Sequence, residues 1–219
     1  MNAPVYRKAT DLPETITLFP LSGALLFPRA NLPLNIFEPR YLNMIDDAMR
    51  GDRLIGMIQP VSARIQNECP ALSRVGCAGR IVSYSETDDG RYLISLKGLC
   101  RFRLVEETNG GKPYRRAKVD FSSFERDLST APPQMDEDAV REQLLVALRG
   151  YLGRNGLNTD WSAVHGAPVE TLVHALAAGC PFAPAEKQLL LEAGTLEDRC
   201  DALAALLRVN ASQSGGTMQ

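Results

Sequence analysis

The side chains able to do chemistry are few in this chain, and their spacing suits none of the common reactions. The two histidines, His165 and His174, lie nine residues apart. An imidazole acts as base or ligand only with a partner to orient or share it, and neither has one nearby, so both are expected at solvated or rim positions. His174 also falls off the apolar stripe of its helix. Five cysteines, Cys69, Cys77, Cys100, Cys180 and Cys200, form an odd set without a CxxC pair, which argues against a disulfide framework or a zinc ribbon. Cys69 and Cys77 flank CPALSRVGC and could pair or share a metal, but no histidine stands close enough to complete a site. All five are read as buried thiols. Gly111-Lys112 runs into proline instead of completing a phosphate loop, and GxGxxG, HExxH and GxSxG are missing, so nucleotide hydrolysis and common hydrolase chemistry lose their usual signatures. No catalytic residue, metal or cofactor is expected.

The sharper constellation is Glu38-Pro39-Arg40-Tyr41. Proline at a first helical position starts a helix here, and Tyr41, Met44, Ile45, Ala48 and Met49 then share one stripe that stops at Gly51. Arg40, Asn43 and Asp47 point away from that stripe. Glu38 and Arg40 either pair with each other or, with Asn43 and Asp47, border a groove for an extended peptide beside an edge strand. Tyr41 is expected as a core anchor. A second set, Arg101, Arg103, Arg115, Arg116 and Lys118, could form a modest basic stripe for nucleic acid, although alternate charges on a half-exposed strand are ordinarily its wet face.

The elements that must hold these residues change character near the middle of the chain. Short β-type runs dominate at first: 16–19, 24–27, 32–37, 54–59, 79–86, 91–98, 101–107 and 115–121. They predict an antiparallel β-rich domain over 14–126, with 79–121 as a three-stranded meander turning at Asp89-Gly90 and Asn109-Gly110-Gly111. Residues 127–135 (DLSTAPPQM) predict a linker. Beyond it, four amphipathic helices are expected over 136–209, one around Val140–Leu152, the next beginning at Pro168, a third at Pro184, and a last one behind the capping box Thr195-x-x-Asp198. Residues 1–13 and 210–219 are expected to be flexible.

Composition adds its own exclusions. The chain has 219 residues, 45% hydrophobic and 23% charged, with a net charge of −2, the profile of a globular protein and not of a polyanion binder. The charge is unevenly spread, 18 basic against 15 acidic residues up to Leu128 and 6 against 11 beyond it. No apolar run approaches the ~18 residues of a membrane span, and the opening MNAPVYRKATDLPE lacks a secretory pattern, so a cytoplasmic location is expected.

The string FPLSGALLFPRANLPLNIFEPRYLNMIDDAMRGDRLIGMIQP at 19–60 strongly resembles the start of the N-terminal substrate-binding domain of Lon proteases, the LON domain. Residues 75–104, VGCAGRIVSYSETDDGRYLISLKGLCRFRL, look like that family's meander, and 186–207 is similar to its closing helices. The likeness covers roughly 14–209. It implies an α+β fold, a β-rich PUA-like pseudo-barrel followed by a C-terminal four-helix bundle. It also implies a non-enzymatic module that recognises unfolded or extended polypeptide, with a separate protease or chaperone as a further partner. The AAA+ and Ser-Lys protease parts of Lon do not follow within this sequence, which in this respect resembles stand-alone LON-domain proteins. RNA binding is the competing expectation, because PUA-like folds include RNA binders, but the lack of a dense basic or aromatic patch counts against nucleic acid.

Overall fold

The alternating run at Thr15–Pro20 forms strand β1 with Ile16 and Leu18 turned inward, and it belongs to a computed structural model that describes residues 5–61, 70–108, 110–129, 131 and 135–213. The chain divides into two compact units, Met1–Thr130 and Ala131–Gln219.

In the first unit β1 is followed by β2 (Asn31–Ile36), helix α1 (Pro39–Arg50), β3 (Leu54–Ile58), β4 (Val75–Glu86), β5 (Tyr92–Thr108) and β6 (Arg116–Asp120). Their order in the sheet is β2-β5-β4-β3-β1-β6, and β6 pairs back onto β5, closing a ring. The sheet is mixed where a purely antiparallel one was expected. β1 and β3 run parallel, with Leu18 opposite Gly56, because β2 and α1 between them supply the long crossover that parallel neighbours require. Every residue of β3 is buried, as befits a strand paired on both edges inside the ring.

The two strands expected over 91–98 and 101–107 are one strand of 17 residues. Gly98 explains the continuity: a Cβ there would lie 1.9 Å from the carbonyl oxygen of Phe27, so glycine marks a close backbone approach and not a break. The run 24–27, also expected as a strand, is the loop that makes this approach. Its Leu25, Leu26 and Phe27 are buried, and around it Arg29 N donates to Gly98 O at 2.9 Å and Gly98 N to Ala30 O at 2.9 Å. Gly90 (φ 77°) turns the chain from β4 to β5. In the next turn Gly111 also has positive φ, while Asn109 lies outside the described residues. Helix α1 follows its predicted stripe, with Tyr41, Met44, Ile45 and Ala48 buried and Pro39 in the first turn.

A 3-10 helix, Ser122–Leu128, takes up the start of the expected linker. Its Asp127 is buried and receives Arg101 twice, Nε to Oδ2 and Nη2 to Oδ1, both at 2.9 Å, along with the Arg101 backbone N–H at 3.0 Å. Of the N-terminal stretch expected to be flexible, residues 5–13 are described and make contacts with the ring unit. A short 3-10 helix spans Ala9–Asp11, Ala9 N donates to Glu125 Oε1 at 2.9 Å, and Leu12 is buried.

The second unit holds five helices among its described residues where four were expected: α2 (Glu137–Asn155), α3 (Trp161–Gly166), α4 (Val169–Gly179), α5 (Pro184–Glu192) and α6 (Leu196–Gln213). The unpredicted α3 is a short helix of six residues, capped by Asp160, whose carboxylate accepts from Ser162 N and Ala163 N. Six residues hold too little apolar periodicity to register as a helix in the sequence. Thr195 and Asp198 form the predicted box, with Asp198 N donating to Thr195 Oγ1 at 3.0 Å and Thr195 N to Asp198 Oδ2 at 3.0 Å. α6 runs four residues past its expected end at 209. Val140, Leu144 and Leu148 of α2 and Leu203 and Leu207 of α6 are buried, and the two helices pack side by side. No helix among the described residues is long and apolar enough to cross a membrane.

Candidate functional site

Strand β5 would be about 53 Å long if straight. Register shifts at Ala78/Gly79, Ile81/Ser83 and Leu104/Glu106 mark bulges in its ladders with β4 and β6, and bulges bend a strand. Ile36, opposite Tyr92 at one end of β5, and Thr108 at the other end therefore line the same hollow. This hollow has a volume of about 890 Å³. Phe19, Pro20, Leu21, Pro60, Pro70 and Tyr41 give it an apolar floor, and Leu34, Asn35, Ile36 and Phe37 contribute one side.

Alternate side chains of a strand point to opposite faces. Leu34, Asn35 and Ile36 are consecutive strand residues on one hollow, which fits a strand whose edge fronts it. β2 has such an edge, since among the described residues its one strand partner is β5. Pro33, which has no N–H, is tolerated within β2 for the same reason. Phe37, expected in the core, is 64% exposed because the strand ends at Ile36 and the next residue swings out to the lip.

Of the four residues singled out from the sequence, Glu38 and Arg40 meet at this lip. Arg40 Nε donates to Glu38 Oε2 at 2.9 Å, and the guanidinium carbon stands 4.6 Å from the centroid of the Tyr41 ring. Tyr41 is buried against Phe19, ring centroids 4.4 Å apart, as a core anchor. Asp47 lies elsewhere, on a smaller hollow of about 270 Å³ that it shares with Lys112, Tyr114 and Arg116. Its carboxylate accepts from Tyr114 Oη at 2.7 Å, Lys112 Nζ at 2.9 Å and Arg50 Nη1 at 3.1 Å, which ties α1 to the loop before β6. The Tyr114 hydroxyl holds the Asp47 carboxyl below its ordinary range, with Lys112 assisting. Burial, and then the same bond to Asp47, pushes the Tyr114 phenol up to about 12. Asn43 is exposed on α1 and lines neither hollow.

The basic stripe does not assemble. Arg101 is buried on Asp127, Arg115 donates to Glu107 Oε2 at 2.7 Å and to Pro70 O at 2.7 Å, and Lys118 sits 3.9 Å from Glu106. His174, expected at a rim, is buried with Nε2 3.4 Å from Arg199 Nη1; a polar contact on α6 draws it inward, which helical periodicity cannot register. Cys77, Cys100, Cys180 and Cys200 are buried, while Cys69, and with it any Cys69–Cys77 site, lies outside the described residues. Among the described residues no group of three or more His, Cys, Asp and Glu side chains could hold a metal ion.

A β ring fronted by an apolar hollow, beside an edge of β2 that has no strand partner among the described residues, has the form of a binding module. The chain belongs to the family of ATP-dependent protease La (LON) substrate-binding domains, whose model matches residues 15–209. It is 28% identical over 206 residues to Lon protease 2 of Myxococcus xanthus, covering 90% of this chain and 24% of that protein. It is also 34% identical over 94 residues to the Lon protease of Desulfosudis oleivorans, 42% of this chain and 12% of the relative. The chain thus spans about a quarter or less of the length of these relatives. Two solved structures share the fold. A Lon N-terminal domain protein from Xanthomonas campestris matches with a TM-score of 0.59 at 22% identity, covering 87% of this chain and 97% of its own. The N-terminal domain of Mycobacterium avium complex Lon protease matches at 0.57 and 14% identity, covering 93% and 100%.

Proposed function

We propose that this chain captures unfolded or extended polypeptide segments in the 890 Å³ hollow. The observation that carries the reading is the hollow's apolar floor beside the free edge of β2. An unfolded segment exposes both apolar side chains and unpaired backbone groups. A strand edge satisfies the backbone groups by pairing while a neighbouring hollow takes alternate side chains. Phe37 and the Glu38–Arg40 pair form the lip, Asp47 braces α1 against the far wall, and Asn43 stands outside the contact. A cytoplasmic setting and cooperation with a protease or chaperone fit this role.

Fluorescence anisotropy with a labelled, apolar, extended peptide tests it. Binding is expected with a Kd on the order of micromolar, about −8 kcal/mol. Phe37→Ala and Arg40→Ala should each weaken it several-fold while the thermal midpoint stays within about 4 °C, because Phe37 is exposed and an exposed ion pair contributes at most about 1 kcal/mol to stability. Absence of binding up to millimolar peptide, or variants that bind as the parent does, would remove the hollow as the site.

A further inference from the structure

Among the described residues the lining of the hollow carries four cations and two carboxylates, Arg40, Lys112, Arg115 and Arg116 against Glu38 and Glu107. Three of the cations are matched. Arg40 is held by Glu38, Arg115 by Glu107, and Lys112 by Asp47 from the neighbouring hollow. Arg116 has no carboxylate partner among the described residues. The two acids that share the smaller hollow with it are both engaged, Asp47 by Tyr114, Lys112 and Arg50, and Asp52 by the backbone N–H of Leu54 at 3.1 Å. Its backbone is fixed between two strands, opposite Thr17 of β1 and Thr108 of β5, which roots the side chain at the hollow's wall, beside Gly110. It is half-buried, and a charge partly out of water gains more from a counter-charge than one on the open surface.

We propose that the hollow is selective for extended segments in which an acidic side chain, Asp or Glu, lies close to the apolar residue it takes up, and that Arg116 is the specificity-determining residue that receives this carboxylate. This rests on the peptide-binding reading above and goes beyond it by naming the chemistry of the preferred segment. A planar guanidinium offers paired N–H donors that match the two oxygens of a carboxylate. The uncharged amide of Gln or Asn keeps the shape and forfeits the charge. A lysine brought to the same place would meet a fourth cation, one without a carboxylate partner among the described residues, and be disfavoured.

The test uses the full chain and three labelled peptides, capped at both ends, identical except for Glu, Gln or Lys two residues from a central apolar residue. On the parent protein the Glu peptide should bind about five- to tenfold tighter than the Gln peptide, the difference between a charge-assisted and a neutral hydrogen bond, and the Lys peptide more weakly than either. This preference should shrink as salt is raised. On Arg116→Gln the Glu and Gln peptides should bind equally. Because the peptide series is read first on the unaltered protein, the inference does not depend on how that variant folds. Equal binding of the Glu and Gln peptides by the parent would overturn the role of Arg116 and leave peptide capture standing. A preference that appears only when the C-terminal cap is removed would overturn it in favour of capture of a chain terminus. Failure of all three peptides to bind would overturn capture itself.

Discussion

Asp47 shows how a side chain with the right chemistry becomes a strut. Its position on α1, away from the apolar stripe, left it available for ligand contacts, yet three donors converge on it, and the bond from Tyr114 fastens α1 to the chain just before β6. That bond has a pH signature. The folded pKa of Tyr114 is raised to about 12 by burial and by Asp47, against an unperturbed phenol near 10. A raised pKa contributes stability that is complete below the unfolded value and is lost as pH climbs through the folded one. Thermal midpoints should therefore hold from about pH 8 to 9.5 and fall between about pH 10 and 12. Tyr114→Phe should begin lower by the loss of one hydrogen bond, about 1 kcal/mol, and then fall less steeply over that window. Burial also raises the Cys100 thiol to about 12, so some alkaline loss should remain in the variant. Parallel slopes for the two proteins would exclude Tyr114 as a source. Tyr41, buried against Phe19, has a different role; Tyr41→Ala should cost about 3 to 5 kcal/mol in denaturant unfolding by opening a cavity.

Among the elements, the least expected partnership joins β5 to the 3-10 helix Ser122–Leu128. Arg101 was assigned to a wet strand face and Asp127 to a linker, and the structure buries them together. The helix also places the Phe124 ring 4.6 Å from the Arg101 guanidinium carbon, and Arg29 Nη1 donates to Asp127 O at 2.6 Å. Removing one member of a buried pair strands the other charge in a poor solvent. Asp127→Asn should accordingly lose about 3 to 5 kcal/mol in a urea titration, more than any exposed pair at the lip of the hollow. A loss under about 1 kcal/mol would mean that water reaches Arg101 readily. Gly98 sets a comparable constraint along β5. Gly98→Ala presses a methyl group onto Phe27 O and should destabilise by about 3 kcal/mol, the upper range for overpacking.

At the scale of the whole molecule, every described residue lining the hollow falls between Phe19 and Arg116, within the unit Met1–Thr130. The β ring buries its own core, from Leu18 on β1 to Phe102 on β5, and the helical unit buries another between α2 and α6. We propose that the two are separately folding domains. A fragment of residues 1–130 should unfold in one cooperative step and bind the peptide with a Kd within about twofold of the full chain. Aggregation of the fragment, or a tenfold loss of affinity, would show that the helices are needed to complete the first unit or its site.

The order of the β runs, the stripe of α1 with proline at its start, the Asp89-Gly90 turn and the Thr195–Asp198 box were all legible in the sequence. Each rests on a local rule, period 2 against 3.6, a fixed φ, or a side chain reaching three residues along. The lip residues Glu38 and Arg40 were legible for the same reason, being two positions apart. What the sequence could not disclose depends on distant residues meeting. β1 and β3 became parallel neighbours, 91–98 and 101–107 fused across Gly98 because Phe27 lies against it, and Phe37 left the core at the point where β2 ends. The hollow itself joins Ile36, the partner of Tyr92 at one end of the bulged strand β5, with Thr108 at its other end. Arg116 stands out only once its neighbours' charges have been paired, and those pairs span as many as 65 positions of chain, the separation between Lys112 and Asp47. Local propensity determines the elements; ring closure and charge pairing, which are properties of the folded chain as a whole, decide which of their side chains are left to bind.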